Sequence, residues 1–170
     1  VQSRINTGLN VASTKDDSAS YTIAQKLRGD VGGLKAVSSS LSRAKSTTDV
    51  AVAGAEQISD VLNQMKAKAI QASDEGLDAE SRTQINEDFK ALHTQIKSII
   101  DSSEFNGTNL LKASGGGSVS ALKSTNVDLG DDNILAVENQ GLDTSVLAEI
   151  DEDGFADADA ANDMVATLKT

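Results

Sequence analysis

Apolar residues recur along the first half of the chain with alternating steps of three and four. The series Leu34, Val37, Leu41, Ala44, Thr48, Ala51, Ala55, Ile58, Leu62, Met65, Ala69, Ala72 keeps that spacing throughout, and Thr48 is its only polar member. Such a heptad seam predicts an amphipathic helix packed against a partner along one line. Ile23, Leu27 and Val31 carry the seam backwards, with a phase slip at Gly32-Gly33. Adjacent glycines inside a helix cost roughly 1 kcal/mol each, so they predict a weak point, a kink or a close backbone contact. Asp16, Asp17 and Ser18 supply N-cap chemistry and place the start near residue 18. A helix from 18 to 74 is roughly 85 Å long at about 1.5 Å per residue, which predicts a rod.

Asp74-Glu75-Gly76 interrupts the pattern, with Gly76 as a left-handed cap. Asp78 then caps a second helix, and its acids Asp78 and Glu80 suit a helix N-terminus. The stripe Ile85, Phe89, Leu92, Ile96, Ile99 repeats the alternating spacing. A short break folds this helix back antiparallel along the first. Ala-rich positions then face Ile and Phe, and large against small permits close packing with few aromatics. Phe105-Asn106-Gly107 reads as the turn that ends the unit.

Beyond Ala113 the signal changes. Gly115-Gly116-Gly117 predicts a flexible break. Val127-Asp128-Leu129 and Ile134 to Val137 flank Gly130-Asp131-Asp132-Asn133, the pattern of a hairpin. Leu142, Val146 and Ile150 fit a short helix or an irregular segment. Ala158, Ala161, Val165 and Leu168 restart the helical spacing. The prediction is a mainly α protein: an elongated antiparallel rod of long helix, short helix and returning C-terminal helix, with a small insert containing a β-hairpin. Residues 1–112 form the rod helices, 113–155 an acidic β/loop insert, and 156–170 the start of a truncated C-terminal rod helix. Ile58, Leu62 and Met65 with Phe89, Leu92 and Ile96 are the predicted rod core.

Composition narrows the function. The 170 residues hold 15 basic and 26 acidic side chains, no Cys, no Pro and only 2% aromatics. Without Cys there is neither a disulfide framework nor a thiolate metal site. No apolar run approaches the roughly 18 residues of a membrane span. Of the net charge of −11, residues 113–170 carry −10, with Lys123 and Lys169 against 12 acids. That balance opposes nucleic-acid binding, which needs a basic face. The chain opens at Val1 and closes inside an apparent helix, which reads as a piece of a longer protein.

Catalysis is poorly supported. His93 is the only histidine and lies one position beyond Leu92, where a boundary residue is the commoner reading. No nucleophile motif or phosphate-binding glycine fingerprint accompanies it, and no cofactor is implied. Glu149, Asp151, Asp153, Gly154 and Asp157 occupy positions 1, 3, 5, 6 and 9 of an EF-hand loop, but position 12 is Ala160 instead of a bidentate Glu. The stretch therefore reads as a solvated acidic loop ahead of a Ca²⁺ site. Ser114, Ser118, Ser120, Ser124 and Thr125 are hydroxyls of the insert that could accept O-linked sugar, with a plain polar loop as the simpler reading. What remains is interaction, because one short partner leaves part of the long seam uncovered.

Three stretches resemble flagellin, the filament subunit of bacterial flagella. Arg4-Ile5-Asn6-Thr7-Gly8-Leu9 with Ser13-Thr14-Lys15-Asp16-Asp17-Ser18-Ala19 resembles the entry to the family's rod domain. Ile23-Ala24 and Ala69-Ile70-Gln71-Ala72-Ser73 resemble its first long helix, and Glu104-Phe105-Asn106-Gly107 with Leu110-Leu111 resembles the end of its second. The wording looks most similar to short alphaproteobacterial flagellins. The resemblance implies a non-enzymatic structural subunit, secreted unfolded without a cleaved leader and polymerised into the filament for motility. Its implied partners are other flagellin subunits, the export apparatus and chaperone, and cap and junction proteins. A hook–filament junction protein is the nearest alternative, and a chemoreceptor-like signalling hairpin the alternative from another class. Many flagellins meet a Toll-like receptor through an Arg and a Leu on the first helix and a Glu on the second. The matching positions here are Gln64, Lys68 and Gln95, which implies weak or no recognition, since losing one buried anchor can cost about 2 kcal/mol or more.

Overall fold

The computed structural model describes residues 18–125, 132–142 and 155–168. Helix α1 spans Ser18–Ala72, α2 spans Ala79–Ser102 and α3 spans Ala158–Thr167. Strands β1, Val119–Leu122, and β2, Ile134–Val137, pair in a two-stranded antiparallel sheet. The fold is mainly α with a small β insert, as the periodicities predict. Two compact units divide it, one of residues 1–44 and 120–135, the other of residues 45–119 and 136–170. The middle of the insert thus groups with the first half of α1.

Helix α1 runs unbroken for 55 residues, straight through the glycine pair. Of the three readings of that pair, a close contact is realised, and at Gly33 alone. A Cβ there would lie 2.8 Å from Thr125 Cγ2, whereas one at Gly32 would meet nothing within 4 Å. At its far end α1 stops at Ala72, and Gly76 is not the left-handed cap expected of it. Among the described residues positive φ occurs at Asn106, Gly107, Gly115 and Gly117. Instead the Asp74 carboxylate accepts the Gly76 N–H at 2.8 Å, an Asx turn that needs no special backbone. The last turn of α1 carries no basic residue. Arg82 of α2 supplies that cation from outside, its guanidinium donating to the carbonyls of Ala72 and Asp74.

Asp78 caps α2 as predicted, accepting the Ser81 N–H at 2.8 Å. Lys68 of α1 meets Asp88 of α2, and Gly54 of α1 lies against Ser103 beyond its end, so the two helices run antiparallel.

The seam differs from the predicted one in phase. Val37, Ala44, Ala51, Ile58, Met65, Ala69 and Ala72 are buried members of the series. The intervening buried positions are Ser40, Thr47, Gly54 and Val61, one residue before the predicted Leu41, Thr48, Ala55 and Leu62. Leu34, Leu41 and Ala55 are exposed, and Leu62 is half-buried. On α2 Phe89, Ile96 and Ile100 are buried, with Leu92 and Ile99 half-buried. Of the predicted core, Leu62 and Leu92 therefore sit at its margin. Close approach explains the shift. A Cβ at Gly54 would run into Ser103 Oγ and come within 2.9 Å of Leu111 Cδ1. Ser40 Oγ accepts the Leu122 N–H at 3.1 Å. Small and hydrogen-bonding residues line the contact where the backbones are tightest, and a search for apolar letters passes over them.

After α2 the chain turns at Asn106-Gly107, with φ of 52° and 80° and reciprocal Phe105–Thr108 backbone bonds of 2.9 and 3.1 Å. Asn109 is buried, donating to Ile100 O at 2.6 Å and accepting from the N–H groups of Leu111 and Lys112. Gly115-Gly116-Gly117 is a packed turn, not the flexible break its composition suggests. Gly116 is buried beneath the carbonyls of Asn109 and Lys112, and Asn139 Nδ2 donates among the carbonyls of Asn109, Lys112 and Gly117. The partner of β2 is Val119–Leu122, whose alternating burial turns Val119 and Ala121 inward. The predicted first strand, Val127 to Leu129, lies outside the described residues, as do Val146 and Ile150.

Two glycine substitutions separate propensity from packing. Gly32→Ala is expected to stabilise by up to about 1 kcal/mol through helix propensity. Gly54→Ala gains the same propensity yet is expected to destabilise by about 1–3 kcal/mol net through overpacking. Urea unfolding followed by far-UV circular dichroism measures both, and two gains of equal size contradict the packing assigned to Gly54.

Candidate interaction surfaces

In the first unit the described part of the insert occupies one face of α1, and among the described residues the neighbouring face is bare. Thr125 lies on Gly33, and the Leu122 N–H bonds to Ser40, on the face that also carries Val37 and Ala44. The adjoining face presents Ile23, Leu27, Val31, Leu34 and Leu41, each between 38% and 60% exposed. Large apolar side chains at helical spacing form a stripe, and a stripe of this kind marks an interaction surface.

In the second unit α1 and α2 enclose a shallow groove of 380 Å³. Gln64, Ala67 and Lys68 line one wall and Asp88, Ala91, Leu92 and Gln95 the other. Gln64, Lys68 and Gln95, singled out by resemblance on two separate helices, therefore share one site. Lys68 Nζ reaches Asp88 Oδ2 at 2.6 Å, and the pair is part-exposed, so its net contribution is small. A smaller cleft of 210 Å³ lies among Lys97, Ile100, Asp101, Lys112, Ala113 and Ser114. Lys112 Nζ bonds Asp101 Oδ1 there at 2.9 Å.

The other candidates are scattered. Glu149, Asp151 and Asp153 lie outside the described residues, and Asp157 is the N-cap of α3, accepting the Ala160 N–H at 2.9 Å. Among the described residues no three acids or imidazoles group as metal ligands, and no helix is long and apolar enough to cross a membrane. His93 is half-buried beside Leu92. Ser118 and Ser120 are exposed, the former accepting the Asn139 N–H. Ser124 is engaged with Asn133, and the Thr125 methyl faces Gly33, so these two hydroxyl-bearing residues have structural work already. Sequence reasoning missed Asn86, Asn109 and Asn139, since an asparagine that binds distant backbone leaves no periodic trace.

A family model described as the bacterial flagellin N-terminal helical region matches residues 1–115. Flagellin FljK of Caulobacter vibrioides is 34% identical over 170 residues, all of this chain and 60% of that protein. Flagellin A of Rhizobium meliloti is 37% identical over 112 residues, 66% of this chain and 28% of that protein. A crystal structure of Bacillus cereus flagellin aligns with a TM-score of 0.63 over 75% of this chain and 71% of that one. At 18% identity that likeness speaks for the fold alone. The chain spans about 60% of the length of the Caulobacter relative.

Hydrogen bonds and a neighbouring charge shift the protonation of two exposed carboxylates and one lysine in the second unit. The hydrogen bond from Lys112, then its charge, holds Asp101 below its ordinary value of 3.8, and the Ser81 backbone N–H does the same for Asp78. Lys112 is raised above 10.5 by the hydrogen bond to Asp101 and the charge of that carboxylate. The carboxylates' contribution is complete above 3.8 and is lost as pH falls through their lowered values. That of Lys112 is complete below 10.5 and is lost as pH rises through its raised value. Thermal midpoints are expected to be level at intermediate pH and to fall at both extremes. Asp101→Asn is expected to flatten both limbs, and limbs unchanged in that variant contradict the assignment.

Proposed function

The chain belongs to the bacterial flagellin family, and from that footing we propose that it forms the helical body of a filament subunit whose activity is polymerisation for motility. The observation that carries this reading is the bare apolar stripe of α1. Ile23, Leu27, Val31, Leu34 and Leu41 keep a heptad-like spacing with nothing packed on them among the described residues. Helical partners, from the rest of the subunit or from neighbouring copies, bury such a stripe, and repetition makes weak contacts strong. A family of structural subunits suits a chain read as non-enzymatic. A flagellin match that runs over all of this chain favours the filament over the junction protein, and the β insert disfavours a chemoreceptor-like hairpin.

The subunit would work outside the cell, in the flagellar filament. Its partners in this reading are further subunits, the export apparatus with its chaperone, and the cap and junction proteins. Absence of Cys and Pro suits a chain that travels unfolded and refolds without redox chemistry or slow isomerisation. The patch of Gln64, Lys68 and Gln95 would give little or no Toll-like receptor recognition, because these stand at the positions of the family's Arg, Leu and Glu and Lys68 is already paired with Asp88.

Electron microscopy of the intact gene product is expected to show filaments, while the 170-residue chain alone sediments as a monomer. Filaments grown from this chain by itself would refute the need for further helices. In receptor reporter cells the intact protein is expected to be nearly silent, and a potent response contradicts the reading of the patch.

A further inference from the structure

Two of the three phenylalanines of the chain meet in the second unit. Phe89 of α2 and Phe155 are 1% and 4% exposed, with ring centroids 4.8 Å apart at 66°, an edge-to-face contact. Beside the rings, the Asn86 side chain grips the backbone of Phe155. Its Oδ1 accepts the Phe155 N–H at 2.8 Å, and its Nδ2 donates to the Phe155 carbonyl at 3.0 Å. A planar amide offers one donor and one acceptor side by side, which matches the N–H and C=O of one extended residue. Asn86 and Phe89 lie one turn apart on α2, so one helix face takes both the ring and the peptide of Phe155.

The grip spans 69 residues of chain and falls two residues before Asp157, the N-cap of α3. Helix α3 has 10 residues and one fully buried side chain, Ala161. Most of a helix's stability in a protein comes from the packing of one face, so α3 depends on the contacts that hold it where it starts. The α1–α2 pairing has its own ties in Gly54–Ser103, Arg82–Ala72 and Lys68–Asp88, none of which involves Phe155.

We infer that Asn86 and Phe155 form a docking latch, separable from the α1–α2 hairpin, that holds the returning helix α3 in its ordered place. The latch stands on geometry alone; its consequence, that an unlatched subunit assembles poorly, rests on the filament reading. Release frees α3 while the hairpin stays folded.

Hydrogen exchange with mass-spectrometric readout tests this on the 170-residue chain and on its Asn86→Ala, Phe155→Ala and Phe155→Leu variants. Amides of α3 are expected to exchange about tenfold faster in Asn86→Ala, the loss of two ordinary hydrogen bonds. Phe155→Ala is expected to exceed that, and Phe155→Leu to recover part of the protection. Amides of α1 and α2 near Met65 and Ile96 are expected to keep their rates in all three. Unchanged exchange in α3 overturns the latch. An equal rise in α3 and in the hairpin overturns its separability, making both residues ordinary parts of one core. In the intact gene product, Asn86→Ala is expected to slow filament growth several-fold with hairpin protection retained. Normal growth with a loosened α3 overturns the assembly consequence, whereas failure of the unsubstituted protein to polymerise refutes the filament reading and leaves the exchange result standing.

Discussion

The close approach of α1 to the segment beyond α2 is the constraint on which the rest depends. Gly54 allows it, because the space of its missing side chain is filled by Ser103 and Leu111. Ser103 ends α2, and Leu111 belongs to the loop that leads into the insert. One contact therefore fixes where the second helix stops and where the next segment begins. With that spacing set, Phe89 and Ile96 of α2 and Met65, Ala69 and Ala72 of α1 are all but fully buried, so large and small side chains share the core. Dispersion falls quickly with separation, so a core this poor in aromatics holds only if its backbones come near each other.

Segments outside the helical pairing are joined by side-chain amides as well as by buried apolar residues such as Leu110, Leu111 and Phe155. Asn109 bonds the end of α2 and the loop beyond it, Asn139 gathers three carbonyls around the glycine turn, and Asn86 grips Phe155. Asn109 pairs backbone groups that would otherwise be buried unpaired, whereas the bonds of Asn86 and Asn139 are part-buried or exposed. Among the described residues no buried side-chain polar atom is left without a partner. Irregular chain is thereby held in place in a protein that has no disulfide to do it.

Periodicity made the helices legible: α1 is helical throughout Ser18–Ala72, Asp78 caps α2, and α3 keeps the spacing of Ala158, Ala161 and Val165. Half of the seam was legible too, since Ala44, Ala51, Ile58 and Met65 repeat every seven residues. The other half was misread because Ser40, Thr47 and Gly54 are not apolar, and size, not hydrophobicity, qualified them for the contact. The first strand was sought at Val127, where β-propensity is plain, but β2 pairs with Val119–Leu122, a segment that also bonds α1 through Ser40. Of the candidate surfaces, the two halves of the groove were found separately by resemblance, and only the antiparallel pairing brings Gln64 and Lys68 opposite Gln95. The exposed stripe was read as seam, because a sequence does not say which of its apolar faces is covered within the chain.

The asparagine joints have a further consequence for the conditions the body tolerates. An amide-to-peptide bond carries no net charge, so dissolved ions do not screen it as they screen an exposed ion pair, and it has no proton to gain or lose in ordinary waters. Lys45–Asp49, Lys68–Asp88 and Lys112–Asp101 loosen as salinity rises, while the grips of Asn86, Asn109 and Asn139 keep their strength. The described irregular segments are therefore tied by bonds that added salt weakens little.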